Sequence, residues 1–242
     1  MSKPLIVLRP EPGLSETLAL AQVKDLTAIA APLFEIEPVA WRAPDPAGFD
    51  GILAGSANVF RHGGAELTAL TALPVHAVGE RTAQAAVEAG FVVSSVGAGG
   101  LQQVLGALPA PARWLRLAGE QRVTLQVPDR STMIEVIVYR ARPVPLSEIA
   151  MEALRSDAVV LLHSGEAAVR FVDECGRLGV DRSRVSLAAL APRIAAAAGE
   201  GWRAVATAPQ ATDAALLAMA DDMCQCGDKR GRGASGSRNG TE

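Results

Sequence analysis

AVGERTAQAAVEAGF, residues 77–91, joins an apolar strand end to an alanine-rich helix through one glycine, and a second glycine closes the helix. About one hundred residues later ALAPRIAAAAGEGW, residues 189–202, repeats that layout, with a small residue and a turn at the same place. The strands that precede other helices correspond too. DGILAGS (50–56) and DAVVLLHS (157–164) each open on Asp and close on Ser. A chain that builds the same strand, tight turn and helix twice is internally duplicated. A period of about 110 residues is too long for a solenoid and fits two α/β lobes.

Outward from these stretches the pattern alternates strand and helix. PLIVL (4–8) is a short β-branched run, GLSETLALAQVKD (13–25) has helical spacing after a Pro-Gly turn, and LTAIAAPLFEIEPV reads as extended chain broken by prolines. Helices are expected from ANVFRHGG and ERTAQAAVEAG, and strands from VHAVG (75–79) and FVVSSV. The second half runs RWLRLAG (113–119), the long strand MIEVIVYRARPV (133–144), helix EAAVRFVDECGRLG, strand VSLAAL, helix RIAAAAGEG, strand WRAVAT and helix TDAALLAMADDM. The strands are continuously apolar, as in parallel sheets covered on both faces. PLFEIEPV (32–39) and VYRARPV (138–144) both end in Pro-Val before a new unit begins.

Composition narrows the function. The 242 residues suffice for two cores, and much of the hydrophobic fraction of 49% is alanine, with aromatics at only 4%. A net charge of -3 gives no general attraction for nucleic acid or anionic membrane, so any anionic ligand must be held locally. No apolar run is long enough for a membrane span, and MSKPLIVLRP enters a strand directly, so a cytoplasmic protein is expected. The Cys224/Cys226 pair is a weak metal signal, Cys175 sits on a helix, and His62, His76 and His163 show no metal spacing. No metal is expected. GDKRGRGASGSRNGTE at the end is glycine, serine and charge, and residues 223–242 are expected to form a disordered tail; the sequon at Asn239 has no secretory context.

The common chemical motifs are missing. GAGGLQ (97–102) fails the dinucleotide pattern, no P-loop exists, and Ser56 and Ser164 lack a nucleophile elbow. What remains is polar residues at the carboxyl ends of strands, where open α/β sheets bind ligands: Arg9, Ser56, Asn58, Thr82, Ser164 and Arg193. The turn at Gly79 presents the first N–H groups of a helix to an anion; Thr82 adds a hydroxyl and Arg81 a charge, while Glu80 opposes it. The competing interpretation is that Glu80 and Thr82 only stabilise the helix start.

RPEPG after the first strand, APLFEIEPV, GSANVFR, AVGERTA, VIVYRARPV and APQATDAALLA, in this order over residues 4 to about 220, resemble the uroporphyrinogen-III synthase family. The resemblance implies two flavodoxin- or Rossmann-like α/β lobes with parallel sheets, joined by a two-stranded β-ladder hinge formed by the two Pro-Val segments. The chain would leave the first lobe early and return late. Residues 1–36 with 145–222 would make one lobe and residues 41–137 the other. The implied reaction converts hydroxymethylbilane, a linear tetrapyrrole polycarboxylate, to uroporphyrinogen III, with loss of water and inversion of the last ring. Loss of the hydroxyl leaves an azafulvene, which closes through a spiro intermediate, so no cofactor is needed and positioning dominates. A monomer is implied as well, and transient contact with the preceding pathway enzyme would suit the chemistry.

Tyr139, the single tyrosine, falls where the resemblance places a functional tyrosine, at the end of VIVY. A phenol keeps its proton at neutral pH and can donate it to the departing hydroxyl. The competing role is a strand aromatic whose hydroxyl caps a carbonyl. The second copy departs from the family: Ala191, Pro192, Arg193 and Ile194 offer no hydroxyl opposite Thr82, with Arg193 as a substitute carboxylate partner, and Ser164, Gly165, Glu166 and Ala167 replace the usual serine-rich turn. LAGEQR keeps Gly119, a further substrate-binding candidate, but has Ala118 where arginine is common. These departures keep open a non-catalytic bilobed small-molecule binding protein or sensor of the same ancestry. A nucleotide-using enzyme on a flavodoxin-like lobe is the other alternative.

Overall fold

The structure is a computed structural model that describes residues 3–225. In chain order its elements are β1 (Leu5–Val7), α1 (Gly13–Val23), β2 (Ala28–Ala30), β3 (Phe34–Pro38), β4 (Gly51–Ala54), α2 (Asn58–His62), β5 (Val75–Val78), α3 (Glu80–Glu88), β6 (Val93–Gly97), α4 (Leu101–Gly106) and β7 (Arg113–Gly119). There follow β8 (Thr132–Pro143), α5 (Glu148–Arg155), β9 (Ala158–Leu162), α6 (Gly165–Leu178), β10 (Val185–Ala189), α7 (Pro192–Ala197), β11 (Ala204–Thr207) and α8 (Asp213–Gln225). Of the tail expected over 223–242, residues 223–225 belong to α8, while Cys226, Asn239 and the rest lie outside the described residues.

The chain divides into two compact units, one from the residues up to Glu35 and from Pro143 onward, the other from Ile36–Arg142. The first holds a sheet of order β11-β10-β9-β1-β2, parallel throughout. The second sheet has the order β3-β8-β7-β4-β5-β6, and from β8 to β6 it is parallel. The duplication explains both orders. DGILAGS forms β4 and DAVVLLHS forms β9, and each is followed outward by two strands, β5-β6 or β10-β11. On its other side β4 meets β7-β8 and β9 meets β1-β2. The two sheets are therefore one arrangement, with the first unit permuted because the chain begins at the strands that would come last.

Each sheet is covered on both faces, as continuous apolar strands require. In the first unit Leu5, Val7, Val159 and Leu161 pack on Leu14 of α1 and Leu216 and Leu217 of α8. In the second, Ile52, Val75, Leu115 and Leu117 pack toward α2 and α3, where Phe60 meets Phe91 edge-on, while Leu53 and Trp114 pack on Leu101 and Leu105 of α4.

Sequence and structure part at particular elements. The two Pro-Val segments pair, β3 with β8, and they form the edge of the second sheet, because β8 pairs on its other side with β7. Val39 N–H donates to Val138 O and Val144 N–H to Leu33 O, so β3 and β8 run antiparallel. Tyr139 does not end its strand, because β8 continues to Pro143. Two helices escaped the sequence pattern. α4 is six residues long and follows a glycine run, too short for a periodicity, and α5 buries only Ala150, Ala153 and Leu154 behind its Ser147 cap.

Phe171 of α6 is fully buried and stacks on Trp202 at 5.6 Å, with Arg182 over the indole at 5.1 Å. Phe171→Ala is expected to cost about 3–5 kcal/mol through the cavity it leaves, measured by urea unfolding, with altered Trp202 emission in the folded state.

Candidate functional site

β4 and β7 are neighbours, yet the chain leaves them toward opposite edges of the sheet. This is the topological switch point of the second unit, and the carboxyl ends of its strands form a crevice. An open pocket of ≈ 210 Å³ lies there, lined among others by Ser56, Arg116, Gly119, Arg122 and Tyr139. Ser56 follows β4 and its Oγ accepts the Asn58 N–H at 3.2 Å, which shapes the turn into α2.

Tyr139 reaches the pocket through a register change. Along β7 and β8 the partners run Leu117 with Val136 and Ala118 with Ile137, then skip to Gly119 with Tyr139. The extra residue, Val138, is buried in the core. Such a bulge re-aims the next side chain. The Tyr139 ring then lies flush on Gly119, where a Cβ would stand 2.6 Å from the tyrosine Cζ and 2.9 Å from its hydroxyl. Any other residue at 119 would move the ring. The Tyr139 hydroxyl makes no hydrogen bond among the described residues, so the carbonyl-capping role is not realised.

Beside the tyrosine sits a charged cluster that sequence reasoning missed. Arg116 of β7 is 4% exposed and donates through Nη1 to Glu135 at 2.5 Å and to Val123 O at 2.8 Å. Arg122 Nε donates to the other Glu135 oxygen at 3.0 Å. Burial pushes the Glu135 carboxyl up, but Arg122 and Arg116 together outweigh it and hold it below the usual carboxylate range. The available signal was a second arginine inside RWLRLAG, a charge in an otherwise buried strand three residues before Gly119.

The turn at Gly79 stands at the neighbouring strand end. Gly79 has φ 77°, a conformation that favours glycine, and its own N–H is already given to Gly97 O at 2.9 Å. Thr82 is 5% exposed, packed inside the unit with Ala83 and Ala86, whereas Arg81 is exposed on α3. Of the candidates in this unit, Ser56, Gly119 and Tyr139 share the pocket; Asn58, Gly79, Arg81 and Thr82 do not line it.

The first unit fills its equivalent switch point, between β9 and β1, with its own charges. Arg9, expected to meet substrate carboxylates, donates to Asp213 Oδ2 at 2.8 Å and to Thr17 at 3.3 Å. Gly13 allows this, since a Cβ there would lie 2.3 Å from Arg9 Nε. His163 Nε2 stands 3.4 Å from the other Asp213 oxygen, and the three groups lower the Asp213 carboxyl to about 2, His163 most, Arg9 and Thr17 adding to it against the opposing effect of burial. Ser164 caps α6, accepting the Ala167 N–H at 3.1 Å, and Arg193 is exposed at the start of α7. Nothing in the sequence pairs residues 9 and 213, because the contact spans nearly the whole chain.

A family model described as uroporphyrinogen-III synthase HemD matches residues 15–218. The chain belongs to the uroporphyrinogen-III synthase family. The solved uroporphyrinogen-III synthetase of Helicobacter pylori 26695 is 16% identical, with a TM-score of 0.64 over 92% of this chain and 100% of that one. A mutant uroporphyrinogen III synthase of the extremely thermophilic bacterium Thermus thermophilus is 19% identical, with a TM-score of 0.58 over 94% and 100%. At these identities the likeness shows the fold: two-lobed α/β structures with parallel sheets. No curated protein matches the sequence. Among the described residues no group of three or more His, Cys, Asp or Glu is placed to hold a metal ion. No helix among them is long and apolar enough to cross a membrane.

Asp213 gives a pH test. Its carboxyl sits at about 2 in the folded chain against an ordinary 3.8, so the stabilisation is complete above about pH 4 and is lost as pH falls toward 2. The difference corresponds to about 2 kcal/mol. Asp213→Asn is expected to lose roughly that much at pH 7, and the gap to the parent should close below pH 4 in urea melts followed across pH.

Proposed function

We propose that this chain is a uroporphyrinogen-III synthase: it cyclises hydroxymethylbilane, with loss of water and inversion of the last ring, to uroporphyrinogen III. The family match over residues 15–218 carries this reading. The pocket at the second unit's switch point supports it, because it gathers Ser56, Gly119 and Tyr139 around one opening. Its ≈ 210 Å³ is smaller than the roughly 300–1,000 Å³ that encloses a whole ligand, so it takes a part of a large substrate, such as one substituted ring.

In this reading Tyr139 is the proton donor to the departing hydroxyl. Its phenol makes no internal hydrogen bond among the described residues, and the Gly119 seat and the bulge hold the ring in one orientation. Once the hydroxyl has left as water, the substrate's own pyrrole nitrogen carries the positive charge, and the protein's remaining task is to hold the chain folded for attack at the inverted ring position. Ser56 offers a hydroxyl at the same opening. Gly79, Arg81, Thr82, Asn58, Ser164 and Arg193 remain secondary substrate-binding candidates. Arg9 is better read as a structural partner of Asp213.

Fresh hydroxymethylbilane supplied to the purified full chain should yield isomer III faster than isomer I forms spontaneously; isomer I alone would reject the reading. Tyr139→Phe is expected to cut kcat by about a hundredfold while leaving the melting temperature nearly unchanged, and parent turnover would remove the acid role. Ser56→Ala should cost less. Gly119→Ala, whose methyl displaces the tyrosine ring, should approach the Tyr139→Phe loss with the phenol still present.

A further inference from the structure

Arg116 is buried more deeply than a surface ion pair needs, with 5% of its side chain exposed. It lies directly opposite Glu135 in the β7–β8 register, so the pair is set across the strands. Arginine–carboxylate pairs are frequently bidentate, with two parallel hydrogen bonds. Arg116 does otherwise. Both of its hydrogen bonds leave from Nη1, and Nε is buried without a partner among the described residues. A buried donor left without a partner is costly, so this edge calls for an acceptor. Arg122 takes the second Glu135 oxygen, which leaves two guanidiniums against one carboxylate and one positive charge in excess at the pocket wall. No acidic side chain among the described residues lines the pocket.

We propose that Arg116 anchors one carboxylate arm of the substrate in this pocket, side-on through its Nε–Nη2 edge, while Glu135 keeps hold of Nη1. The proposal rests on the synthase reading and deepens it by naming the group that fixes which arm enters beside Tyr139. The ligand class is an aliphatic carboxylate carried on an aromatic ring, and a fork matched to its two oxygens selects it over a neutral arm. Glu135 acts as a positioning residue: it holds the guanidinium plane and keeps the excess charge at one. Because the anchor works on binding, it acts on KM more than on kcat.

Two variants of the full chain separate anchoring from mere structure. Arg116→Lys keeps the charge and removes the fork. The double variant Arg116→Gln with Glu135→Gln removes the pair together, so that no buried charge is stranded. Two readouts are used: KM and kcat for hydroxymethylbilane, and the dissociation constant of uroporphyrin III, a stable octacarboxylate, by fluorescence, with its octamethyl ester as control. The expected result is a rise of tenfold or more in KM and in the uroporphyrin dissociation constant for both variants. The change in kcat should stay within about threefold, and the ester should bind parent and variants alike. Uroporphyrin bound equally well by parent and variants, KM at the parent value, or a loss confined to kcat or to the melting temperature would overturn the anchor. The synthase reading is judged apart, by the isomer formed by the parent, and the porphyrin measurement decides the anchor whichever isomer appears.

Discussion

The pairing of β8 with β7 is the constraint on which the site depends. β8 is twelve residues long and lies between two partners, β7 and β3, so its register is fixed from both sides. Within that register Arg116 faces Glu135, and three pairs later a single inserted residue brings Tyr139 onto Gly119. A slip of one residue would turn Tyr139 from the pocket toward the core and carry Val138 out of it. The apolar face of β8 therefore enforces the placement of its functional face.

The same strand carries the chain out of the second unit, and β3 carries it in. Their antiparallel pairing places the entry and exit of this segment side by side. Glu37 of β3 is held by Arg142 and Arg140 of β8, and these two arginines lower its carboxyl below the ordinary range. Exposed as they are, these ion pairs contribute little stability; they select the partner strand.

Duplication gave both units a crevice at the same topological point, and the two have been used differently. In the second unit the crevice is open, with small residues at the strand ends and a cation in excess. In the first, Asp213 at the start of α8 reaches Arg9 and His163 and closes the charge balance internally. Arg9 and Asp213 match one to one, whereas Arg116 and Arg122 share the single carboxylate of Glu135, so only the second crevice keeps a cation in excess.

The sequence by itself determined the architecture. Continuous apolar strands alternating with helices dictated parallel sheets, the repeated DGILAGS and DAVVLLHS dictated two of them, and the ordered motifs from RPEPG to APQATDAALLA pointed to the family. These are local signals, legible because strand and helix periods and turn residues act over a few neighbours. Tyr139, Ser56 and Gly119 could be singled out for the same reason, each standing at a strand end or a motif. Tertiary structure alone decided which charges act and which are spent. Arg9 looked available until Asp213 arrived from 204 positions along the chain, and Ser164 until its hydroxyl was seen capping α6. Arg116 looked like one polar interruption in a strand until Glu135 and Arg122 framed it. A charge is defined by its partners, and in a parallel fold those partners come from strands and helices far apart in the chain.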